Sequence, residues 1–275
     1  MNETLSKFSS KTLYGKGYKP ATKEIAQQKL KLLPSKYGTL SETETDLVNW
    51  VLDPAYPLSL VILENTQATI ENEIEAELVA KLAVHLRESL LREPLSKESQ
   101  LSQKSLQNEK WEHYPESEEG DSDFWKNCLF IVSTHRAQIR TIQTHLSKLR
   151  IWYHSPFIDT VDKTQGQEAE TVIVSYGVSD TDTAMNEAEF IYSLNRLNVS
   201  ITRAKSKCIV FLPRPLLEPS LELLQNKEAA KGLNHMLNLV EFCKQNGEEK
   251  KFEIKSESYE KRIKLTGIKS KIFNK

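Results

Sequence analysis

Apolar residues along this chain occur in two textures: short unbroken runs, and longer stretches in which they return every four positions. Residues 58–63, 128–133 and 208–212 are runs rich in Leu, Ile and Val without alternation, the pattern of strands covered on both faces. Between the first two, Ile74, Leu78, Leu82, Leu86 and Leu90 mark one side of residues 69–92, while Glu71, Glu73, Glu75 and Glu77 crowd the first turns. That spacing predicts an amphipathic helix whose acidic end suits its dipole. Residues 136–149 repeat the pattern through Ile139, Ile142, Leu146 and Leu149. Ser41 to Glu44 reads as a capping box ahead of Leu47, Val48, Val51 and Leu52, giving a short helix that stops at Asp53 and Pro54. Residues 157–161 and 171–176 read as two more strands, and 190–204 as a helix with Ile191, Leu194, Leu197, Val199 and Ile201 on its buried side. Strands separated by helical crossovers predict an α/β fold, a three-layer, mainly parallel sheet with helices on both faces.

Composition divides the chain further. Residues 1–51, punctuated by Gly15, Gly17, Pro20, Pro34 and Gly38, read as an irregular and helical lead-in to a body spanning 52–212, followed by helices over 213–247. Residues 94–123 hold eight Asp or Glu against three Lys, the signature of a solvated acidic insertion. Residues 248–275 carry nine Lys or Arg against five Glu with scattered apolar anchors, and read as a basic, mobile tail. With 275 residues, 39% of them hydrophobic, a buried core is affordable. The net charge of -1 supplies no global field toward nucleic acid or membrane, so any nucleic-acid contact must be local. Cys128, Cys208 and Cys243 are widely spaced with no C-x-x-C pair, against a disulfide framework or zinc site and for a reducing compartment. No apolar run is long enough for a bilayer and the first residues lack a signal pattern, so a cytoplasmic protein without a membrane partner is expected.

The chemistry is concentrated in two signatures, residues 158–168 and 196–204. In open parallel sheets functional groups collect in loops at the carboxyl ends of strands, and the candidates are expected there. Thr134, His135 and Arg136 follow one strand, Thr160 to Glu168 follow the next, and Thr202 and Arg203 precede the last. Gly166 allows close backbone approach, Gln165 can orient a water or phosphate oxygen, and Glu168 can accept from a ribose hydroxyl. Such a turn suits the edge of a nucleotide. Taken singly, each signature is an ordinary capping turn or surface arginine; their joint order is what favours function. His135 is expected to face solvent. The six histidines show no H-E-x-x-H or clustered spacing, so no metal site is expected. No G-x-x-x-x-G-K-[ST] loop occurs, and Gly15-Lys16-Gly17 is too short and is followed by Tyr18.

The segment "IDTVDKTQGQEAETVIVS" is similar to motif V, and "RLNVSITRAKSKCIVF" to motif VI, of superfamily 1 helicases. The likeness is to branch 1B, which includes the RNA helicase of nonsense-mediated decay and the nuclease-helicase of Okazaki-fragment processing. "LDPAYPLSLVILEN", "NEIEAELVAKL" and "IVSTHRAQIRTI" resemble the opening strand, following helix and third strand-turn-helix of the second RecA-like domain of that family, so the resemblance covers residues 52–212. It implies that Arg203 is an arginine finger reaching the γ-phosphate of ATP across an inter-domain cleft lined by Gln165, Gly166 and Glu168. It also implies that Thr134, Arg136 and Thr160 hold phosphates of single-stranded DNA or RNA. ATP and Mg²⁺ would be engaged only with a first RecA-like domain, supplied in trans or by a longer chain, and the chain alone would be inactive. "MNETLSKFSSKTLYG" resembles the family's Arg-Met-(His or Asn) element from its Met onward, which would set that arginine one residue before Met1. Two further readings stay open: a free-standing nucleic-acid-binding or regulatory module without ATPase activity, and the remnant of a truncated gene.

Overall fold

The unbroken apolar runs become the middle of a sheet because both of their faces are covered. A computed structural model describes residues 1–15, 17–33, 40–92, 112–164, 166–218, 220–255 and 262–271. Among these, the chain opens with α1 (Glu3–Ser9), a π-helical turn (Ser10–Tyr14), α2 (Lys23–Ala26) and α3 (Glu42–Leu52). It continues through β1 (Leu58–Leu63), α4 (Glu73–Ser89), a short ladder of β2 (Leu91–Arg92) with β3 (Glu112–His113), α5 (Glu118–Asp123), β4 (Leu129–Ser133) and α6 (Arg136–Leu149). Next come β5 (Ile158–Asp159), a 3₁₀ turn (Val161–Thr164), β6 (Ala169–Ser175), α7 (Thr181–Asn186), α8 (Ala188–Ile191), α9 (Leu194–Thr202) and β7 (Ala204–Pro213). The last elements are α10 (Leu221–Gln225), α11 (Lys227–Gln245), β8 (Gly247–Lys255) and β9 (Arg262–Ser270).

The main sheet has the order β5-β4-β6-β7-β1-β9-β8. Its first five strands are parallel, and the β8–β9 hairpin joins β1 antiparallel. Alternate side chains of each strand enter opposite cores. Leu58, Leu60 and Ile62 of β1, with Phe130, Val172 and Val210, meet Leu5 and Phe8 of α1, Ile201 of α9 and Leu239 of α11. Val61 and Leu63, with Ile131, Ile173 and Phe211, meet Val51 of α3, Leu82 and Leu86 of α4, and Ile142 and Leu146 of α6. This is the three-layer α/β arrangement expected. Ser41 caps α3 as predicted: its side chain accepts from Glu44 N while Glu44 reaches back to Ser41 N. The helix expected over 190–204 divides into α8 and α9, because Ser193 starts a new helix by capping Arg196 N.

Two expectations are overturned. The basic tail is not mobile where it is described: Phe252 and Ile254 on β8, and Ile263 and Leu265 on β9, alternate with charged residues and bury their apolar side against the α3 face of the sheet. A two-residue period was present there, and net charge obscured it; residues 256–261 and 272–275 lie outside the described residues. The acidic stretch is likewise not simply solvated. Of its span, 94–111 lies outside the described residues, but Asp121 is fully buried and pairs with the equally buried Arg87 of α4 at 3.0 Å. Arg87 also donates to the Tyr114 and Pro115 carbonyls, so the charge is satisfied on several sides. Lys81 is buried too, held between Glu44 at 2.6 Å and Glu77 at 2.8 Å, which ties α3 to α4. No helix of the described residues is long and apolar enough to cross a membrane.

Candidate functional site

Strand register decides which candidate residues meet. Val132 pairs with Asp159 and Ser133 with Ser175, so the residues just beyond them, Thr134, Thr160 and Tyr176, share the carboxyl edge of the parallel sheet. Ala169 pairs with Ala204, so Glu168 and Arg203 share the opposite, amino edge. With seven residues in β6 at about 3.3 Å each, the two edges stand about 20 Å apart. The expectation that all candidates lie at carboxyl ends is therefore corrected. A chain leaving β5 must return to the other end before β6 can run parallel to its neighbour, and the 3₁₀ turn Val161–Thr164 carries it there. Gly166 and Glu168 ride with it, and Gln165 lies outside the described residues.

At the amino edge, Arg203 ends α9, where a cation suits the helix dipole. Its carbonyl accepts from Ala169 N at 3.0 Å, which fixes the backbone. Its guanidinium is held more loosely, by bonds of 3.3 Å to the Gln167 carbonyl and 3.5 Å to Thr202 Oγ1, and its buried Nε has no hydrogen-bond partner among the described residues. Gly166 has φ +82°, at the third position of a turn closed by Gln167 N to Thr164 O at 3.0 Å, a conformation that favours glycine. Glu168 is exposed beside it. The N-terminus reaches the same edge, since Asn2 N donates to Lys205 O at 2.7 Å. Tyr14 and Tyr18, absent from the sequence-based candidates, stack at 4.6 Å, and Asn198 donates to the Tyr14 hydroxyl at 2.8 Å. Burial, then Tyr14, raises the Tyr18 hydroxyl pKa, with Arg203 and Glu168 close enough to act on it in opposite senses. Only the pair of tyrosines around Gly15 and Gly17 hinted at this in the sequence.

The carboxyl edge is tied tightly. Thr134 donates to the Tyr176 carbonyl at 2.7 Å and meets His135 Nδ1 at 2.9 Å, while His135 Nε2 meets Glu187 at 2.7 Å. A carbonyl and a carboxylate only accept, and a hydroxyl carries one proton, so all three bonds form together only when both ring nitrogens of His135 carry hydrogen. His135 does not face solvent as expected: its side chain is 13% exposed and committed to this chain of bonds. It opens α6 without capping it by a side-chain bond, and Arg136 lies exposed at the first helical position. Thr160 sits half-buried after β5, its N–H donating to Asp159 at 2.7 Å. Arg196 pairs with Asp162 at 3.1 Å and lies 4.1 Å above the Phe190 ring. Glu187 and Phe190 carried no recognisable signal, because their partners are distant in sequence or supplied by shape; Arg196 opens the second signature, which gave it no role of its own.

Beneath this edge lies a buried carboxyl. Glu75 of α4 accepts from Ser175 Oγ at 2.7 Å and from Gly177 N at 3.0 Å, and Gln138 joins by donating to Ser175 at 3.0 Å and accepting from Asn72 N at 2.7 Å. Burial pushes the Glu75 carboxyl up to about 7, against the hydrogen bonds that pull it down. Gly177, at φ +67°, leaves 2.7 Å between the place of a Cβ and Gln138, so no larger residue fits without displacing that side chain. Glu64, at the end of β1, accepts from Arg214 and Thr266, and the Arg214 hydrogen bond holds it below its usual range. Among the described residues, no group of three or more His, Cys, Asp or Glu could hold a metal ion.

A family model described as "AAA domain" matches residues 1–212. The DNA replication ATP-dependent helicase/nuclease dna2 of Schizosaccharomyces pombe is 24% identical over 88% of this chain and 14% of its own length. The corresponding helicase/nuclease of Homo sapiens is 36% identical over 35% of this chain and 9% of its own, and that of Xenopus tropicalis 32% identical over 40% and 10%. The chain thus spans a small fraction of these relatives.

Proposed function

We propose, for a chain that belongs to this AAA domain family and is a superfamily 1B helicase-related domain of the Dna2 branch, that it works as the second motor domain of an ATP-dependent nucleic-acid helicase. The amino edge faces the nucleotide. Arg203 is its arginine finger, with Gly166 and Glu168 along the same cleft. The observation that carries this reading is the state of Arg203: a fixed backbone, a loosely bonded guanidinium and an Nε without a partner among the described residues, beside an open glycine turn. Those residues fit a phosphate approaching from outside the chain. ATP and Mg²⁺ come with a first RecA-like domain that supplies the phosphate loop, in trans or from a longer chain. Bound there, ATP supplies the γ-phosphoryl group, and Arg203 stabilises the charge that develops on it.

The carboxyl edge takes the nucleic acid. Arg136, the N–H groups at the start of α6 and the Thr160 hydroxyl meet phosphates of a single strand of DNA or RNA, while Thr134 holds the turn that presents them. These are local contacts, in keeping with the near-neutral chain. Mixing the chain with a separately made first RecA-like domain tests the reading. Strand-stimulated ATP hydrolysis is expected from the mixture and not from either part; hydrolysis by this chain alone at helicase rates would refute it.

A second reading has one observation in its favour. The Thr134–His135–Glu187 chain of bonds is complete in the isolated domain, as a free-standing strand-binding module would need. Strand affinity unaltered by ATP and by any first domain would favour it.

A further inference from the structure

Beside the Thr134 turn opens a cavity of about 530 Å³ bordered by His135, Met185, Asn186, Glu187, Phe190 and Asn226. We propose that it receives one unstacked nucleobase of the bound strand, preferring bases with an exocyclic amino group. The proposal rests on the carboxyl edge being the strand-binding edge, and it adds a site that reads the base rather than the backbone.

Its wall is aromatic and fixed. Phe190 borders this cavity and also a smaller one between β4, β6 and α9, and Arg196 borders only the smaller one. The guanidinium lies 4.1 Å over the Phe190 ring, and the same half-buried ring borders the larger cavity, where it offers an aromatic surface to a planar guest. His135 forms the corner, its ring 5.8 Å from Phe190 at 58° and anchored at both nitrogens. Stacking on a ring already held in place orders little that was free. The volume lies in the range of small-molecule pockets, roughly 300–1,000 Å³.

Its rim is selective. Glu187 and Glu189 border the cavity, and their negative charges repel a phosphate, so the backbone stays at the α6 end and the base turns inward. A carboxylate accepts from the exocyclic amino group of adenine, cytosine or guanine, whereas thymine and uracil present oxygens there. Asn226 uses its side-chain oxygen to cap α11, accepting from Glu228 N and Ala229 N at 3.1 Å each. Among the described residues its NH₂ donates to none, which makes it a donor for a ring nitrogen or carbonyl of the base. A donor and an acceptor bordering one cavity match the edges of adenine and cytosine.

The test is fluorescence anisotropy of the intact chain with end-labelled oligo-dA, oligo-dC, oligo-dT and an abasic strand of equal length. The intact chain should bind dA and dC more tightly than dT. Phe190→Leu, which keeps the apolar volume and removes the π face, should weaken dA and dC about tenfold and leave the abasic strand unchanged; Phe190→Ala should do the same if it folds. Glu189→Gln should narrow the gap between dA and dT. A 2-aminopurine placed in the strand should change its emission on binding as it leaves its neighbours, and Phe190→Leu should diminish that change. Equal losses on abasic and base-bearing strands, or none on any, would overturn the base site while leaving the strand-binding edge intact. No binding of any strand by the intact chain would overturn that edge and the base site together.

Discussion

The two edges of the sheet are built from similar residues and held in different ways. At the carboxyl edge, Thr134, His135 and Glu187 are joined by bonds of 2.7 to 2.9 Å, and Glu75, Ser175 and Gln138 brace the loop below. At the amino edge, Arg203 has bonds of 3.3 and 3.5 Å and an Nε without a partner among the described residues, and Gly166 and Glu168 are exposed. A preorganised edge can act by itself, because its groups lose little freedom on binding. On the proposed function, a loosely held charge at a rigid backbone waits for a second surface, and the domain carries one finished interface and one half of another.

Substitutions should separate the edges, beginning with the largest effect. Arg203→Ala should lower ATP turnover of the reconstituted two-domain assembly by about 10³-fold or more, yet shift the unfolding free energy of this chain by no more than about 0.5 kcal/mol. Steady-state phosphate release and urea melts measure the two. Glu75→Gln acts in the reverse manner. Its carboxyl rises from 4.5 to about 7 on folding, so the stability that Glu75 contributes is fully present below the unfolded value and is lost as pH rises between the two. At about 1.4 kcal/mol per pKa unit the loss is at most about 3 kcal/mol. Glu75→Gln should therefore flatten the stability profile over pH 4.5 to 7 and be the more stable protein at pH 8; a slope unchanged by the substitution would show that Glu75 is not its source. Thr134→Val, which removes the proton given to Tyr176 and strands His135 Nδ1, should cost about 1–2 kcal/mol in the same melts. Gly166→Ala meets no atom within 4 Å, so only its φ of +82° is strained, and a loss of about 1 kcal/mol is expected. Were Thr134→Val harmless and Arg203→Ala destabilising, the contrast between the edges would be reversed.

Much of the layered sheet was legible in the sequence, because buried parallel strands and amphipathic crossovers write their periods directly into residues such as Leu58 to Leu63 and Leu78, Leu82 and Leu86. The order of motifs exposed Arg203, Gly166 and Thr134 as candidates. Which edge each would occupy was not legible, since a turn that follows one strand also precedes the next and only register resolves the ambiguity. The β8–β9 hairpin was present as alternation at Phe252, Ile254, Ile263 and Leu265, hidden by the surrounding lysines. Arg87 with Asp121, and His135 with Glu187, could not be foreseen: each pair joins residues 34 and 52 positions apart, respectively, whose identities are common on any solvated surface.

The division of labour between the edges can be tested on the chain by itself, by titrating a labelled single strand with the intact protein, Arg136→Ala and Arg203→Ala across a series of salt concentrations. Arg136→Ala should bind more weakly and lower the slope of log affinity against log salt by about 1, the signature of one lost phosphate contact, while Arg203→Ala should bind as the intact protein does. Equal weakening by Arg203→Ala, or no effect of Arg136→Ala, would contradict the assignment of nucleic acid to the carboxyl edge.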